Sequence, residues 1–233
     1  MELSARLKAV ADRVAPYQKV ADIGSDHAYL PVWLLQNRKI AFAVAGELQP
    51  GPLEAVRRTI KEAAMEAYVS ARLGDGLKIV EPGEVEVAVL AGMGGATIKG
   101  ILERSPAVVA QLQRIVCQPM IGAAVLRRWL ENNGWYLVSE ELVKEDGHLY
   151  EVISAEQGTS NPTDDLLLEI GPLLWQERHL LLCEHLIRIK WQYEKRAAEM
   201  ANSHSEEVIK KRRAYQNKIN ALEAKIACLQ TAE

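Results

Sequence analysis

Five short apolar runs rich in Val, Ala and Ile recur through the first two thirds of the chain: KVADIG, AFAVAGEL, VSARLGDG, VEVAVLAG and RIVCQPM. Several end in glycine or a small loop. Each is short and continuously apolar, which suits a strand buried on both faces. Helical stretches separate them. PVWLLQN opens with a proline, tolerated in a first turn because no N–H is needed there. PGPLEAVRRTIKEA and GAAVLRRWLENNG are amphipathic, and the latter stops at Gly134. Strands alternating with helices require parallel βαβ units, so the pattern predicts a five-stranded parallel sheet.

After Gly134 the pattern changes. WYLVSEELVKEDGHLYEVISAE places two strand-like segments around an Asp-Gly step, which signals a hairpin. A mainly parallel sheet closed by an antiparallel edge hairpin is the α/β arrangement of class I S-adenosylmethionine-dependent methyltransferases. The polar, turn-forming QGTSNPTDD then marks the expected boundary between a first domain, 1–158, and a second, 159–233. Beyond it the chain reads as two helices. The first is expected to begin at Pro172 and bury Leu173, Leu180, Ile187, Trp191 and Ala198. In the second, Val208, Tyr215, Ile219, Leu222, Ile226 and Leu229 follow the steps of an a/d seam that only Arg212 breaks, so a helical coiled-coil hairpin is expected.

Bulk properties narrow the class further. The 233 residues allow one large and one small domain. No apolar run approaches the roughly 18 residues of a membrane span, and MELSARLKAV lacks a signal-peptide core, so a cytoplasmic protein without a membrane partner is expected. The 3 cysteines show no CxxC or Cys/His clustering, which predicts neither a disulfide framework nor a metal site. Cys117, inside an apolar run, reads as core. A net charge of −3 gives no overall attraction to nucleic acid, although KKRRAYQNK concentrates positive charge from Lys210.

The chemistry gathers at the ends of the predicted strands. In VADIGSDHAYLP an acidic residue, a glycine and a helix start follow one another, so backbone N–H groups can face a ligand. Asp22, Gly24, Asp26 and Ala28 fit the methyltransferase template D/E-x-G-x-G-x-G with the second and third glycines replaced. Glu47 ends the second run, where an acidic side chain bonds ribose hydroxyls. Asp75 ends the third, placed to accept from an adenine amine, with Gly76 leaving room for the ring. LAGMGGATIKG, around Met93, allows close approach of a ligand to the backbone. Gln118 in CQPM is a candidate for a base edge. No Asn/Asp-Pro-Pro-Tyr turn, cysteine nucleophile, Ser/His/Asp grouping or Walker loop is present.

With ADIGSDHAYLP, AGE, RLGDGL and LAGMGG in this order, the sequence resembles the bacterial tRNA (adenine-N1)-methyltransferase family that modifies adenosine 22 of tRNA. Arg72 and the N-terminal SARLKAVA are similar to family sequence as well. The resemblance implies S-adenosyl-L-methionine as cofactor, a Rossmann-like catalytic domain, tRNA as partner and a coiled-coil domain that helps hold it. It implies Asp22, Gly24, Asp26, His27, Glu47, Leu48, Asp75, Gly76, Ala91, Gly92 and Met93 as cofactor-binding positions, and Asp26 with Tyr29 as the catalytic pair. Met120 departs from the Gln-Pro-Asn that the family usually carries after the fifth strand. A monomer is expected. Lys210, Lys211, Arg212, Arg213, Arg57, Arg58 and Arg72 are the candidate RNA contacts.

Two alternatives stay open at this point. Asp26 has a second possible role, confined to binding the cofactor or capping the next helix. The chain has two other possible functions, as a class I methyltransferase for another RNA or small molecule or as a non-catalytic RNA-binding module.

Overall fold

The computed structural model describes residues 2–201 and 205–230. It divides into two compact units, Met1–Pro162 and Thr163–Glu233. The first contains α1 (Ala5–Asp12), β1 (Lys19–Ile23), α2 (Tyr29–Gln36), β2 (Phe42–Glu47), α3 (Pro50–Glu62) and β3 (Val69–Leu73). A 3-10 turn at Gly76–Ile79 leads to β4 (Val87–Gly94), α4 (Gly95–Glu103), α5 (Pro106–Val109), β5 (Arg114–Ile121), α6 (Ala123–Asn132), β6 (Trp135–Glu145) and β7 (His148–Gln157).

The strands form one sheet in the order β3-β2-β1-β4-β5-β7-β6. β1 to β5 run parallel, and β7 pairs antiparallel with both β5 and β6. From β1 the chain winds outward to β3 and then returns to β4 on the other side of β1. The connections leaving β1 and β4 therefore part, and a crevice opens at their C-terminal ends.

Alternating side chains divide the core between two layers. Ala21, Val44, Ala88, Leu90, Ile115 and Cys117 pack with residues of α4 and α6. Val20, Ala43, Val87, Val89 and Val116 face α1, α2 and α3. β1, β2, β4 and β5 are buried on both faces, as their continuous apolar character requires. β3 corrects that expectation: only Val69 is fully buried, because the strand lies at the sheet edge with one neighbour. α2 also begins at Tyr29, so Pro31 is its third residue.

The antiparallel hairpin is bound to the parallel core by buried charge. Arg127 on α6 is 1% exposed. Its Nε donates to Glu140 Oε1 on β6 at 2.6 Å and its Nη2 to Glu151 Oε2 on β7 at 2.7 Å. Burial favours the neutral guanidinium, but the two carboxylates reverse the balance and hold its pKa above the ordinary arginine value.

The second unit contains α7 (Asp165–Ile170), α8 (Pro172–Gln176), α9 (Leu182–Glu199) and α10 (Glu206–Gln230). Asp164 caps α7 by accepting from Leu166 and Leu167 N–H. α9 and α10 run antiparallel, with Lys190 Nζ 3.0 Å from Glu223 Oε1 and Lys218 Nζ 3.0 Å from Tyr193 Oη. On α10 the predicted seam holds: Ile219 and Leu222 are buried, and Val208, Tyr215, Ile226 and Leu229 are partly covered. Arg212 turns its guanidinium to Ala201 O.

The preceding helix differs from expectation. One break, at residues 177–181, divides it into α8 and α9, and Leu180 is 98% exposed in that turn. Ile187 and Trp191 are exposed, while Leu182, His185, Leu186, Ile189 and Tyr193 form the buried face. Two polar aromatics belong to that face because their polar atoms find partners. His185 Nε2 lies 3.0 Å from Ile170 O, and Tyr193 Oη donates to Glu169 at 2.6 Å.

Arg127→Leu is expected to destabilise the first unit by about 3 kcal/mol, because two carboxylates stay behind in a buried setting; urea unfolding of the variant against the parent measures the loss.

Candidate active site

The turn after β1 keeps a glycine-loop backbone with only one glycine. Gly24, Asp26 and Ala28 all lie in the left-handed region, at φ +72°, +53° and +56°. These are the three slots of the glycine template. Asp is among the residues that reach this region most easily, whereas an alanine held there costs about 1–2 kcal/mol. Ala28 is 0% exposed, so its methyl group contributes packing in return.

Alternating handedness turns the backbone amides toward β2. Gly24 and Ser25 N–H donate to Gly46 O at 2.9 and 3.2 Å. Asp26 N–H donates to Glu47 Oε1 at 2.5 Å. Glu47 therefore fixes the turn with one oxygen. Burial raises its pKa, and the Asp26 amide works in the opposite direction.

Beneath the turn lies Asp22, 4% exposed, accepting from Ser25 Oγ at 2.5 Å. Desolvation pushes its pKa up to about 6, opposed by the Ser25 hydroxyl and reinforced by the negative charge of Glu47. Gly24 also packs closely against Met93: a Cβ there would stand 2.5 Å from Met93 Cε, the flexible end of that side chain, which would have to shift.

These residues open onto a cavity of about 220 Å³, lined by Arg6 and Leu7 of α1, Asp22, Gly24 to His27, Tyr29, Leu30, Ala91 and Gly92. At its mouth the rings of His27 and Tyr29 stack, 5.1 Å apart and 11° from parallel. The Asp26 side chain is 82% exposed there, its Oδ1 3.8 Å from His27 Nε2. The N-cap of helix α2 is Ala28, with no side-chain cap, so Asp26 does not serve in that place. Behind Gly92, the fully buried Gln118 accepts from Gly92 N–H at 3.2 Å. The segments that leave β4 and β5 approach closely, since a Cβ on Gly95 would meet Gly122 O at 2.2 Å.

Asp22, Gly24, Asp26, His27, Tyr29, Ala91 and Gly92 thus share one cavity, with Glu47 against its floor and Met93 against Gly24. Leu48, Asp75 and Gly76 stand outside that lining, at the ends of β2 and β3. Leu48 is 65% exposed. Asp75 is paired with Lys78 at 2.9 Å and Arg104 at 3.3 Å, and the lysine first and the arginine second hold its pKa below the ordinary carboxylate value. Gly76, at φ +60°, would bring a Cβ to 2.7 Å from Ile101 Cγ2. Cys117 is buried and its thiol is pushed far up by desolvation, as a core residue should be.

The basic candidates differ in availability. Arg72 is engaged by Glu84 through both Nη atoms, at 2.8 and 2.5 Å, and by Ile79 O. It braces the loop after β3. Arg57 pairs with Glu54 on the exposed face of α3, and Arg58 is exposed beside it. Lys210, Lys211 and Arg213 are exposed on α10. Sequence reasoning missed Arg6, Leu7, Ser25 and Leu30 as cavity residues. Arg6 is one of two cations in the N-terminal helix, with Lys8, and nothing in their spacing shows that α1 reaches the crevice. Among the described residues no group of three or more His, Cys, Asp and Glu side chains is placed for a metal ion, and no helix is long and apolar enough to cross a membrane.

The donor set fits S-adenosylmethionine. Asp22, Asp26 and Glu47 offer negative charge and acceptors to a ligand carrying ammonium, sulfonium and ribose hydroxyls, and Gly24 leaves space that a side chain would fill. A 3-2-1-4-5-7-6 sheet with this site at its switch point defines a Rossmann-like methyltransferase. A family model described as tRNA (adenine(22)-N(1))-methyltransferase matches residues 20–224, and the chain belongs to that family. A Bacillus subtilis protein of that name is 36% identical over 199 residues, 83% of this chain and 82% of the relative. The solved structure of the B. subtilis m1A22 tRNA methyltransferase superposes with a TM-score of 0.90 at 31% identity, covering 97% of this chain and 99% of that one. A Streptococcus pneumoniae protein solved in complex with S-adenosyl-L-methionine gives a TM-score of 0.83 at 31% identity, covering 97% of this chain and 100% of that one.

Asp22 also sets a pH dependence. Its native pKa of about 6 lies above the ordinary 3.8, so between these values the folded protein holds a proton that the unfolded chain has lost. Stability from this group therefore falls as pH rises through that window, by about 3 kcal/mol in all. Asp22→Asn is expected to remove that fall, measured by urea unfolding of the ligand-free protein at a series of pH values.

Proposed function

We propose that the chain transfers a methyl group from S-adenosylmethionine to N1 of adenosine 22 in tRNA, with Asp26 and Tyr29 acting on the acceptor. Family membership supports the reaction, and the B. subtilis relative carries this activity in its name. Asp26 supports the division of labour. Its backbone N–H holds Glu47, while its carboxylate stands in solvent at the cavity mouth.

Gly24 and Met93 shape the floor for the donor. Glu47 and Asp75, at the ends of neighbouring strands, are placed for the ribose hydroxyls and the adenine amine, with Leu48, Gly76, Ala91 and Gly92 forming the walls between. When bound, S-adenosylmethionine supplies an electrophilic methyl group on a sulfonium. Adenine N1 carries an in-plane lone pair, so no base has to remove a proton first. What the protein must supply is position and charge. The purine gains positive charge as the bond forms, and a fixed carboxylate opposite it is favoured more in the transition state than before it. Asp26 meets that need and also accepts from the adenine amino group. Tyr29, stacked on His27, presents a ring face on which the base lies.

N1 belongs to the pairing edge, so the nucleotide has to be unpaired or extruded, at a few kcal/mol of unstacking. Phosphate contacts then position the RNA, with Lys210, Lys211 and Arg213 supplying charge from the helical unit. The same reading has the enzyme acting as a monomer in the cytoplasm, where its substrate is. The α9–α10 seam is covered within one chain, which supports the monomer.

Unmodified tRNA incubated with labelled donor should acquire label at N1 of adenosine 22. Label at another nucleotide, or none, rejects the assignment. Asp26→Ala should lower kcat about a hundredfold or more with donor affinity near that of the parent; a variant that loses donor binding instead places Asp26 with the cofactor alone. Changing Lys210, Lys211 and Arg213 together to Ala should weaken tRNA binding on the order of tenfold and flatten its salt dependence, as read by filter binding at several salt concentrations.

A further inference from the structure

We infer that Arg6 is a positioning residue for methyl transfer: its guanidinium fixes the carboxamide of Gln118, and through it the Gly92 backbone, at the edge of the cavity. The inference rests on the methyltransferase reading above. Arg6 enters the cavity from α1, an element that precedes the first strand. Its Nη1 donates to Gln118 Oε1 at 2.7 Å, and the same oxygen accepts from Gly92 N–H at 3.2 Å.

A side-chain amide is nearly symmetric in shape, so its partners decide which end is oxygen. Both lone pairs of this oxygen are occupied, one by a charged donor that makes the stronger bond. The NH2 end must then face the C-terminal end of β5, where Nε2 lies 3.6 Å from Met120 Sδ, a weak acceptor. Gln118 itself is fully buried, whereas Met120 is 49% exposed. Without the guanidinium, only the longer Gly92 contact resists a flip that would set NH2 against N–H.

Arg6 is itself held in place from the hairpin. Its backbone N–H donates to Glu145 Oε2 at 2.8 Å, its Nε lies 3.9 Å from Glu145 Oε1, and its guanidinium carbon sits 5.5 Å from the centre of the Tyr150 ring. α1, β5, β6, β7 and the irregular end of β4 at Gly92 all meet at this side chain. Among the described residues lining the cavity, it also carries the one permanent positive charge. The antiparallel hairpin thus acts on the catalytic edge through Arg6.

Arg6→Met, Arg6→Lys, Gln118→Leu and the Arg6→Met/Gln118→Leu double variant test this, with donor affinity by calorimetry and turnover on tRNA. Arg6→Met should lower kcat about tenfold to a hundredfold while donor affinity changes less than about threefold, which also shows that the variant folds. Arg6→Lys, which keeps a charged donor, should recover part of the loss. In the Gln118→Leu background Arg6→Met should cost less than about twofold. An equal loss in both backgrounds, full activity of Arg6→Met, or loss of donor affinity, which would make the guanidinium a cofactor ligand, overturns the inference. The side-chain amide signal of Gln118, assigned by its disappearance in Gln118→Leu, should shift in Arg6→Met whatever the substrate. An unmoved signal overturns the inference, whereas a parent protein that methylates no tRNA overturns the reading on which it rests.

Discussion

The bond from Asp26 N–H to the Glu47 carboxylate joins the ends of the first two strands, and the geometry of the site depends on it. The left-handed backbone at Asp26 aims its amide at β2, and the amide in turn fixes one Glu47 oxygen. The Leu48 amide also holds the Glu47 carboxylate, and the Asp26 side chain stands outward in solvent. A glycine in this slot would make the same amide bond and contribute no charge. One residue therefore holds Glu47 through its main chain and presents a carboxylate at the cavity mouth through its side chain.

Around this bond, negative charge is layered by depth. Asp22 lies at the bottom, with a pKa of about 6, Glu47 at the floor and Asp26 in solvent. Three carboxylates so close repel one another and cost more as they are buried. Ser25 Oγ and the backbone amides of Asp26 and Leu48 stabilise the two inner charges locally. What remains uncompensated favours a ligand bearing positive charge.

Much of this was legible in the chain because strand ends and glycine slots are local signals. Five apolar runs became five parallel strands, EDGH became the hairpin turn, and the three template slots all proved left-handed although two had lost their glycine. The illegible parts depend on partners distant in sequence. Arg72 reads as an available cation until Glu84 is found beside it. The apolar spacing through Leu180, Ile187 and Trp191 leaves out His185 and Tyr193, which join the buried face of α9 because Ile170 O and Glu169 satisfy their polar atoms. Arg6 is 112 residues from Gln118, too far for any spacing rule.

The contact of Gly95 with Gly122 O has a further consequence. A Cβ at position 95 would stand 2.2 Å from Gly122 O, so the segments leaving β4 and β5 can lie this close only while position 95 carries no side chain. Their spacing is set by main-chain atoms, and any larger residue at position 95 has to displace the Gly122 backbone. One missing methyl group thereby holds two strand ends at a set distance, and adding it would be felt in the sheet before it is felt in the chemistry.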